Sequence, residues 1–240
     1  MCTVTYIPTG KKNDFIFTSN RDEYPYRNAN TLVTQEINKK TVLYPRDEGA
    51  NGTWIAISDS NQLVCILNGA FKLHKRRTDY VKSRGIMALE MFEYGSASEF
   101  LKTYDLHGIE PFTMILYDNG KLFELKWDFA LKHIRVLDPS DSHLWASSTL
   151  YPEEWQIKRL KWFDEWHKKY KSIDQNAVLD FHHNAGEGNN RYDVKMHVEG
   201  IVQTTSITSI EHSNSKMKLR FENLISEVVQ RDGVKLKAKI

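Results

Sequence analysis

Cysteine is scarce in this 240-residue chain: two occur, Cys2 and Cys65. A secreted scaffold of this size carries more, so the count points to a reducing, cytoplasmic setting and away from a disulfide framework. An excess of charge is missing too. With 33 basic and 31 acidic residues, nothing draws the chain to nucleic acid or to an anionic membrane. The densest basic stretch, His74-Lys75-Arg76-Arg77, reads as a solvated turn. No apolar run reaches the roughly 18 residues of a membrane span. The N-terminus arrives at Lys11-Lys12 without a hydrophobic signal core. What is present is the material of a core: 40% hydrophobic and 12% aromatic residues. Without an internal repeat or linker, a single domain over residues 1–240 is expected.

The hydrophobic period changes along the chain. Residues 1 to 70 read as strands and turns. Cys2–Ile7 is extended, a turn cluster follows at Pro8–Asp14, and Phe15–Thr18 is a short buried strand. Trp54–Ser58 and Leu63–Leu67 flank Asp59-Ser60-Asn61-Gln62 as a hairpin, and Asn68-Gly69 ends it where positive φ is affordable. Helical spacing runs through residues 78–105. Strands return at Phe112–Tyr117 and Lys121–Trp127 around Asp118-Asn119-Gly120, and again at His133–Leu137. The clearest helix spans 152–170, opened by Pro152 and two glutamates, with an aromatic face of Trp155, Trp162, Phe163 and Trp166 turned to the core. A helix at Asp174–His182 and a strand at Val198–Ile210 follow, Asn190–Val194 is loop, and 216–228 reads equally as strand or helix. This order predicts one α+β domain with helices over antiparallel sheets.

Cys2 stands directly behind the initiator methionine, and aminopeptidase removes Met1 when the next side chain is small. The product carries a thiol and a free α-amine on one residue. With a pKa of about 7.7–8.0, that amine is partly neutral at pH 7 and is a base built into the nucleophile's own residue. The plain alternative is a small buried residue starting an edge strand. The polar fragment Asn20-Arg21-Asp22-Glu23 follows the Phe15–Thr18 strand. An antiparallel hairpin from Cys2–Ile7 to Phe15–Thr18 brings residues 20–22 back beside Cys2. An aspartate there can hold an ammonium; an arginine lowers a thiol pKa or binds an acyl oxygen. The alternative is an Arg–Asp salt bridge capping a loop. His182, His183 and His197 have no spacing that requires a metal, and Gly186–Asn190 lacks the strand and helix of a nucleotide loop.

Met1-Cys2-Thr3, Asn20-Arg21-Asp22-Glu23, Gly52-Thr53-Trp54, Leu67-Asn68-Gly69-Ala70-Phe71 and Ser83-Arg84-Gly85 occur in this order. Together they resemble the NRDE family, which includes the transport and Golgi organisation protein 2 group. The resemblance covers residues 1–160 well and the remainder weakly. That family is similar to the N-terminal nucleophile hydrolases, in particular the choloylglycine hydrolase and penicillin V acylase branch. The resemblance implies a four-layer αββα sandwich, two antiparallel sheets between helix layers. It also implies Cys2 as nucleophile, Asp22 as the carboxylate orienting the free amine, Arg21 adjacent, and Asn68 with Gly69 offering an amide and backbone N–H groups to an oxyanion.

Two departures stand out. Where relatives carry Ser-Asn, this chain has Ser147-Ser148-Thr149, and a hydroxyl donates one hydrogen bond with shorter reach. Where many relatives carry a strand arginine, this chain has Gln203–Thr208, with Thr205 at the place of the charge. Asn20, Gly69, Ser147, Ser148 and Thr205 are the candidate substrate contacts. The expected function is an N-terminal cysteine amidohydrolase cutting a non-peptide C–N bond of a small molecule. The alternative is a binding or trafficking protein holding a hydrophobic acyl or haem-like ligand on the same fold. No metal, cofactor, nucleic acid or membrane span is expected, and nothing in the sequence sets an oligomeric state.

Overall fold

The computed structural model describes residues 3–11, 13–27, 29–170, 172–213 and 215–237. β1 (Thr3–Pro8), β2 (Phe15–Glu23), β3 (Leu32–Ile37), β4 (Lys40–Pro45), β5 (Ile55–Ser58) and β6 (Gln62–Asn68) open the chain. Helices α1 (Arg84–Glu90) and α2 (Ala97–Thr103) follow. Next come β7 (Phe112–Asp118), β8 (Lys121–Trp127), β9 (Lys132–Leu137) and β10 (His143–Ala146), then helices α3 (Glu153–His167) and α4 (Gln175–Asn184). β11 (His197–Val198), β12 (Val202–Ser213), β13 (Lys216–Asn223) and β14 (Val228–Lys235) complete the described elements.

Two antiparallel sheets result. One runs β10-β1-β2-β12-β13-β14 with β11 beside β12, and the other runs β3-β4-β5-β6-β7-β8-β9. Side-chain alternation separates the layers. Leu63 and Cys65 of β6 turn inward to meet Phe15, Phe17, Leu219 and Phe221 of the facing sheet. Val64 and Ile66 turn outward onto Met87, Met91, Phe92 and Phe100 of the first helix layer. On the far side Ile7 and Ile16 meet Phe163, Trp166, Val178 and Phe181 of α3 and α4. Helix, sheet, sheet, helix: this is the expected four-layer αββα sandwich. No helix among the described residues is long and apolar enough to cross a membrane.

The hairpins form as their turn residues require. Asn61 (φ 59°), Asn119 (φ 52°) and Gly120 (φ 88°) take the left-handed region that tight turns demand. Two expectations need correction. β2 does not stop at Thr18 but continues through Glu23, because β12 pairs along it as far as Gln203↔Glu23. The expected strand at 198–210 is two strands, broken at Glu199-Gly200-Ile201, where Gly200 has φ 66°. Of the two readings open for 216–228, strand holds: β13 and β14 pair from Lys216↔Lys235 to Asn223↔Val228.

Candidate functional site

Arg21, Asp22, Asn68 and Gly69 gather at one end of the sandwich, each held by a strand terminus. β1 and β2 pair from Pro8↔Phe15 to Val4↔Ser19, so the pairing advances toward the Asn20–Asp22 end of β2. Cys2 itself lies outside the described residues.

Arg21 and Asp22 face opposite sides of the sheet, as alternation requires. Arg21 turns between the sheets and is 3% exposed. Its guanidinium lies 4.8 Å over the Trp54 ring and donates to Asp47 at 2.8 Å, to the Arg27 carbonyl at 2.6 Å and to Thr205 Oγ1 at 3.2 Å. Asp47 also meets Arg27 at 3.0 Å and accepts from the Gly49 and Ala50 amides. Burial pushes the Asp47 pKa up, but the two guanidiniums outweigh it and hold the carboxyl below its usual range. The partner of Arg21 is therefore Asp47, not the neighbouring Asp22.

Asp22 turns to the helix layer and is fully buried. It accepts from Thr204 Oγ1 at 2.6 Å and from the Tyr151 hydroxyl at very short range. Burial raises its pKa, while those bonds and the nearby Arg159 pull the other way. Arg159 of α3 is fully buried, stacked 3.5 Å over the Tyr151 ring, and donates to Thr3 Oγ1 at 3.2 Å and to the Asp193 carbonyl at 2.9 Å. A β-bulge at Thr205 separates the pairs Thr204↔Asp22 and Ser206↔Arg21. The bulge lets Thr205 Oγ1 donate to the Arg21 carbonyl at 3.1 Å while Thr204 serves Asp22.

Asn68 ends β6, and its side chain borders a cavity of about 100 Å³ shared with Arg21, Arg27, Asp47, Trp54 and Arg84. Among the described residues nothing bonds to the Asn68 side-chain amide. Its carbonyl accepts from Ser147 Oγ at 2.8 Å, which ties the segment after β10 to the end of β6. Gly69 has φ 81°, and a Cβ there would meet Ser148 Oγ at 2.4 Å and Thr149 Cγ2 at 2.6 Å. The Gly69 N–H donates to the Pro111 carbonyl at 3.0 Å. That N–H is committed to a backbone carbonyl and is not turned to the cavity. Beyond Gly69 a groove of about 310 Å³ opens, where Phe71, Leu137, Leu144, Trp145 and Leu160 alternate with Glu124, Lys126, Arg135, His143 and Gln156.

Asn20 is buried away from the cavity. Its amide donates to the His182 and Val194 carbonyls, and its oxygen lies 2.7 Å from His182 Nδ1. It pins α4 to β2 and does not reach the Arg21 side. His182 and His183 diverge, the first to Thr5 and Asn20, the second to Glu222. Among the described residues no three His, Cys, Asp or Glu side chains gather as metal ligands.

The two other motifs acquire a physical reason. A Cβ on Gly52 would lie 2.4 Å from the Gly85 carbonyl carbon, so these glycines let two backbones touch. The contact is fixed by the Thr53 N–H donating to Gly85 O at 3.1 Å. It sets the start of α1, N-capped by Ser83, against β5, and so holds Trp54 and Arg84 at the cavity. Arg84 donates to Glu110 at 2.9 Å and to the Pro111 carbonyl at 2.9 Å, with burial pressing its pKa down. Sequence reading missed Arg27, Asp47, Arg84, Tyr151, Arg159 and Thr204. Arg159 left a signal: it occupies the i+4 place after Trp155 in the aromatic stripe, where a core-facing side chain belongs.

The family model described as transport and Golgi organisation 2 matches residues 1–226. No curated protein sequence matches the chain significantly. Solved structures do. A variant of the conjugated bile acid hydrolase from Clostridium perfringens has a TM-score of 0.61 at 12% identity, covering 100% of this chain and 97% of that one. A second variant of that hydrolase has a TM-score of 0.61 at 11% identity, covering 99% and 97%. The Caenorhabditis elegans ortholog of N-acylethanolamine-hydrolyzing acid amidase has a TM-score of 0.54 at 11% identity, covering 87% and 92%. At such identities the likeness is one of fold.

Proposed function

For a chain that belongs to the transport and Golgi organisation 2 family, we propose hydrolysis of the C–N bond of a small N-acyl amide by an N-terminal cysteine. One observation carries the reading. The β1–β2 pairing advances toward the end of β2, where Arg21 and the open Asn68 amide border one cavity and Asp22 lies on the opposite face of the strand, and a mixed polar and apolar groove begins just past Gly69.

In the proposed reaction Cys2 Sγ attacks the carbonyl carbon while its α-amine takes the thiol proton. The Asn68 amide donates to the developing oxyanion, a contact worth about 10²–10³ in kcat. The amine then passes its proton to the leaving nitrogen, the C–N bond breaks, and a thioester remains. Water, deprotonated by the same amine, attacks the thioester; the acid leaves and the thiol is restored. Asp22 holds the ammonium form in place from the helix side of β2. Arg21, neutralised by Asp47, shapes the cavity and need not carry charge to the substrate. The groove past Gly69 takes the acyl half.

Release of free amine from a panel of N-acyl amides tests this. Protein lacking Met1 should turn over at least one member, Cys2→Ala should not, and Asn68→Ala should lose about 10²–10³ in kcat with KM little changed. No turnover of any member, with tight binding of an acyl or haem-like ligand in the Phe71–Trp145 groove, would instead establish a binding protein on this fold.

A further inference from the structure

The outer face of β13 and β14 is left uncovered where α3 and α4 stop, and it carries cations opposite cations. In the β13–β14 register Lys216 stands across from Lys235, Arg220 across from Arg231, and Lys218 across from Gly233. Met217, Leu219 and Phe221 point into the core, so Lys216, Lys218 and Arg220 share the opposite face with their cross-strand partners. Like charges placed directly across a ladder are destabilising. Two such pairs on one face call for an anion to offset them.

The face is concave. A groove of about 540 Å³ runs along it, lined by five cations, Lys216, Lys218, Arg220, Arg231 and Lys235, against two carboxylates, Glu211 and Asp232. Gly233 makes the floor: no side chain rises from β14 opposite Lys218. Internal compensation is partial. Lys218 lies 3.8 Å from Glu211, Arg220 lies 2.5 Å from Glu222, and Asp232 accepts the Gly233 amide. Lys216, Arg231 and Lys235 have no ion-pair partner among the described residues. Arg220 Nε is buried with no hydrogen-bond acceptor there. At about 3.4 Å per residue, the two like-charged pairs lie roughly 14 Å apart, with Lys218 midway. A linear ligand with successive negative groups matches that spacing.

We propose that this groove binds a soluble polyphosphate-type anion, two or more linked phosphates lying along β13 between the Lys216–Lys235 and Arg220–Arg231 pairs. A lipid surface is the poorer fit, since the groove is concave and its floor carries no exposed large apolar side chain. The proposal is independent of the hydrolase reading, because the groove lies on the outer face of its sheet and Arg21 turns to the inner one.

Titration calorimetry with sodium tripolyphosphate on the full chain tests it. Saturable binding is expected at low salt, weakened at least tenfold when salt rises about tenfold. The double variant Lys218→Glu/Arg231→Glu should bind at least tenfold more weakly, while Lys75→Glu/Arg76→Glu, on the other basic stretch, stays within about twofold of the parent. Both pairs are exposed, and melting curves confirm that each variant folds. No saturable binding below about 1 mM, or full binding by Lys218→Glu/Arg231→Glu, overturns the proposal. Binding to phosphatidylserine vesicles that tripolyphosphate does not displace also overturns it, in favour of a lipid surface.

Discussion

Arg21 was visible in the sequence as a charge beside a candidate nucleophile; its partner was not. Asp47 lies 26 positions away, and only the β4–β5 connection brings it beneath the guanidinium. Adjacent residues of a strand point to opposite faces, so Arg21 and Asp22 could not pair, although a loop would have allowed it. Removing one member of a buried ion pair strands the other charge. Arg21→Met should therefore cost about 3 kcal/mol, at the low end of the usual range because Arg27 still faces Asp47. A double-mutant cycle with Asp47→Asn, followed by urea unfolding, should show a coupling of about 1–3 kcal/mol. Additive effects would mean that the pair is not one unit. Gly69 is the other decisive single residue. Its φ of 81° disfavours any Cβ, and Ser148 and Thr149 leave no room for one. Gly69→Ala should destabilise by about 1–3 kcal/mol, and Ser148→Gly should recover part of that loss. An unaffected melting curve would place Ser148 and Thr149 further from the strand end than the structure has them.

At the scale of elements, helices α3 and α4 and most hairpins were legible because their periods and turn residues agree. β2 was read short because its last five residues are polar, and polar residues survive in a buried strand only when each finds a partner. Those partners are Asp47, Tyr151, His182 of α4 and Thr204 and Thr205 of β12, between 26 and 184 positions away, and no local pattern reveals them. The β2–α4 joint is testable through His182. Burial pushes its pKa down to about 3, and it stays neutral between Thr5 and Asn20. Unfolded, the ring takes a proton near pH 6.5. The unfolded chain then binds more protons between about pH 6.5 and 3, so this stability is complete above that window and is lost as pH falls through it. His182→Gln removes the titration. The parent should lose stability more steeply than this variant between about pH 6.5 and 4, by up to about 1.4 kcal/mol per pH unit. Parallel slopes would mean that the ring is charged or solvated in the folded state.

For the molecule as a whole, the two sheets turn their common end into a frame. β1, β2 and β12 supply Thr3, Arg21, Asp22, Thr204 and Thr205, while the residue before β5, the end of β6 and the start of α1 supply Trp54, Asn68 and Arg84. The layering was legible from the order of periods, because helices set between runs of strands must cover sheets rather than alternate with them. The cavity was not, since its walls come from both sheets and no single motif contains it. On this frame the claim that matters most is that Cys2 becomes acylated by an N-acyl amide once Met1 is gone. Intact-mass measurement on protein mixed with such a substrate and quenched in acid tests it directly, with peptide mapping to place the adduct. The expected species is the chain lacking Met1 plus one acyl group, located on Cys2 and absent from Cys2→Ala. Turnover by a chain that keeps Met1, or turnover that persists in Cys2→Ala with no acyl adduct, would contradict it.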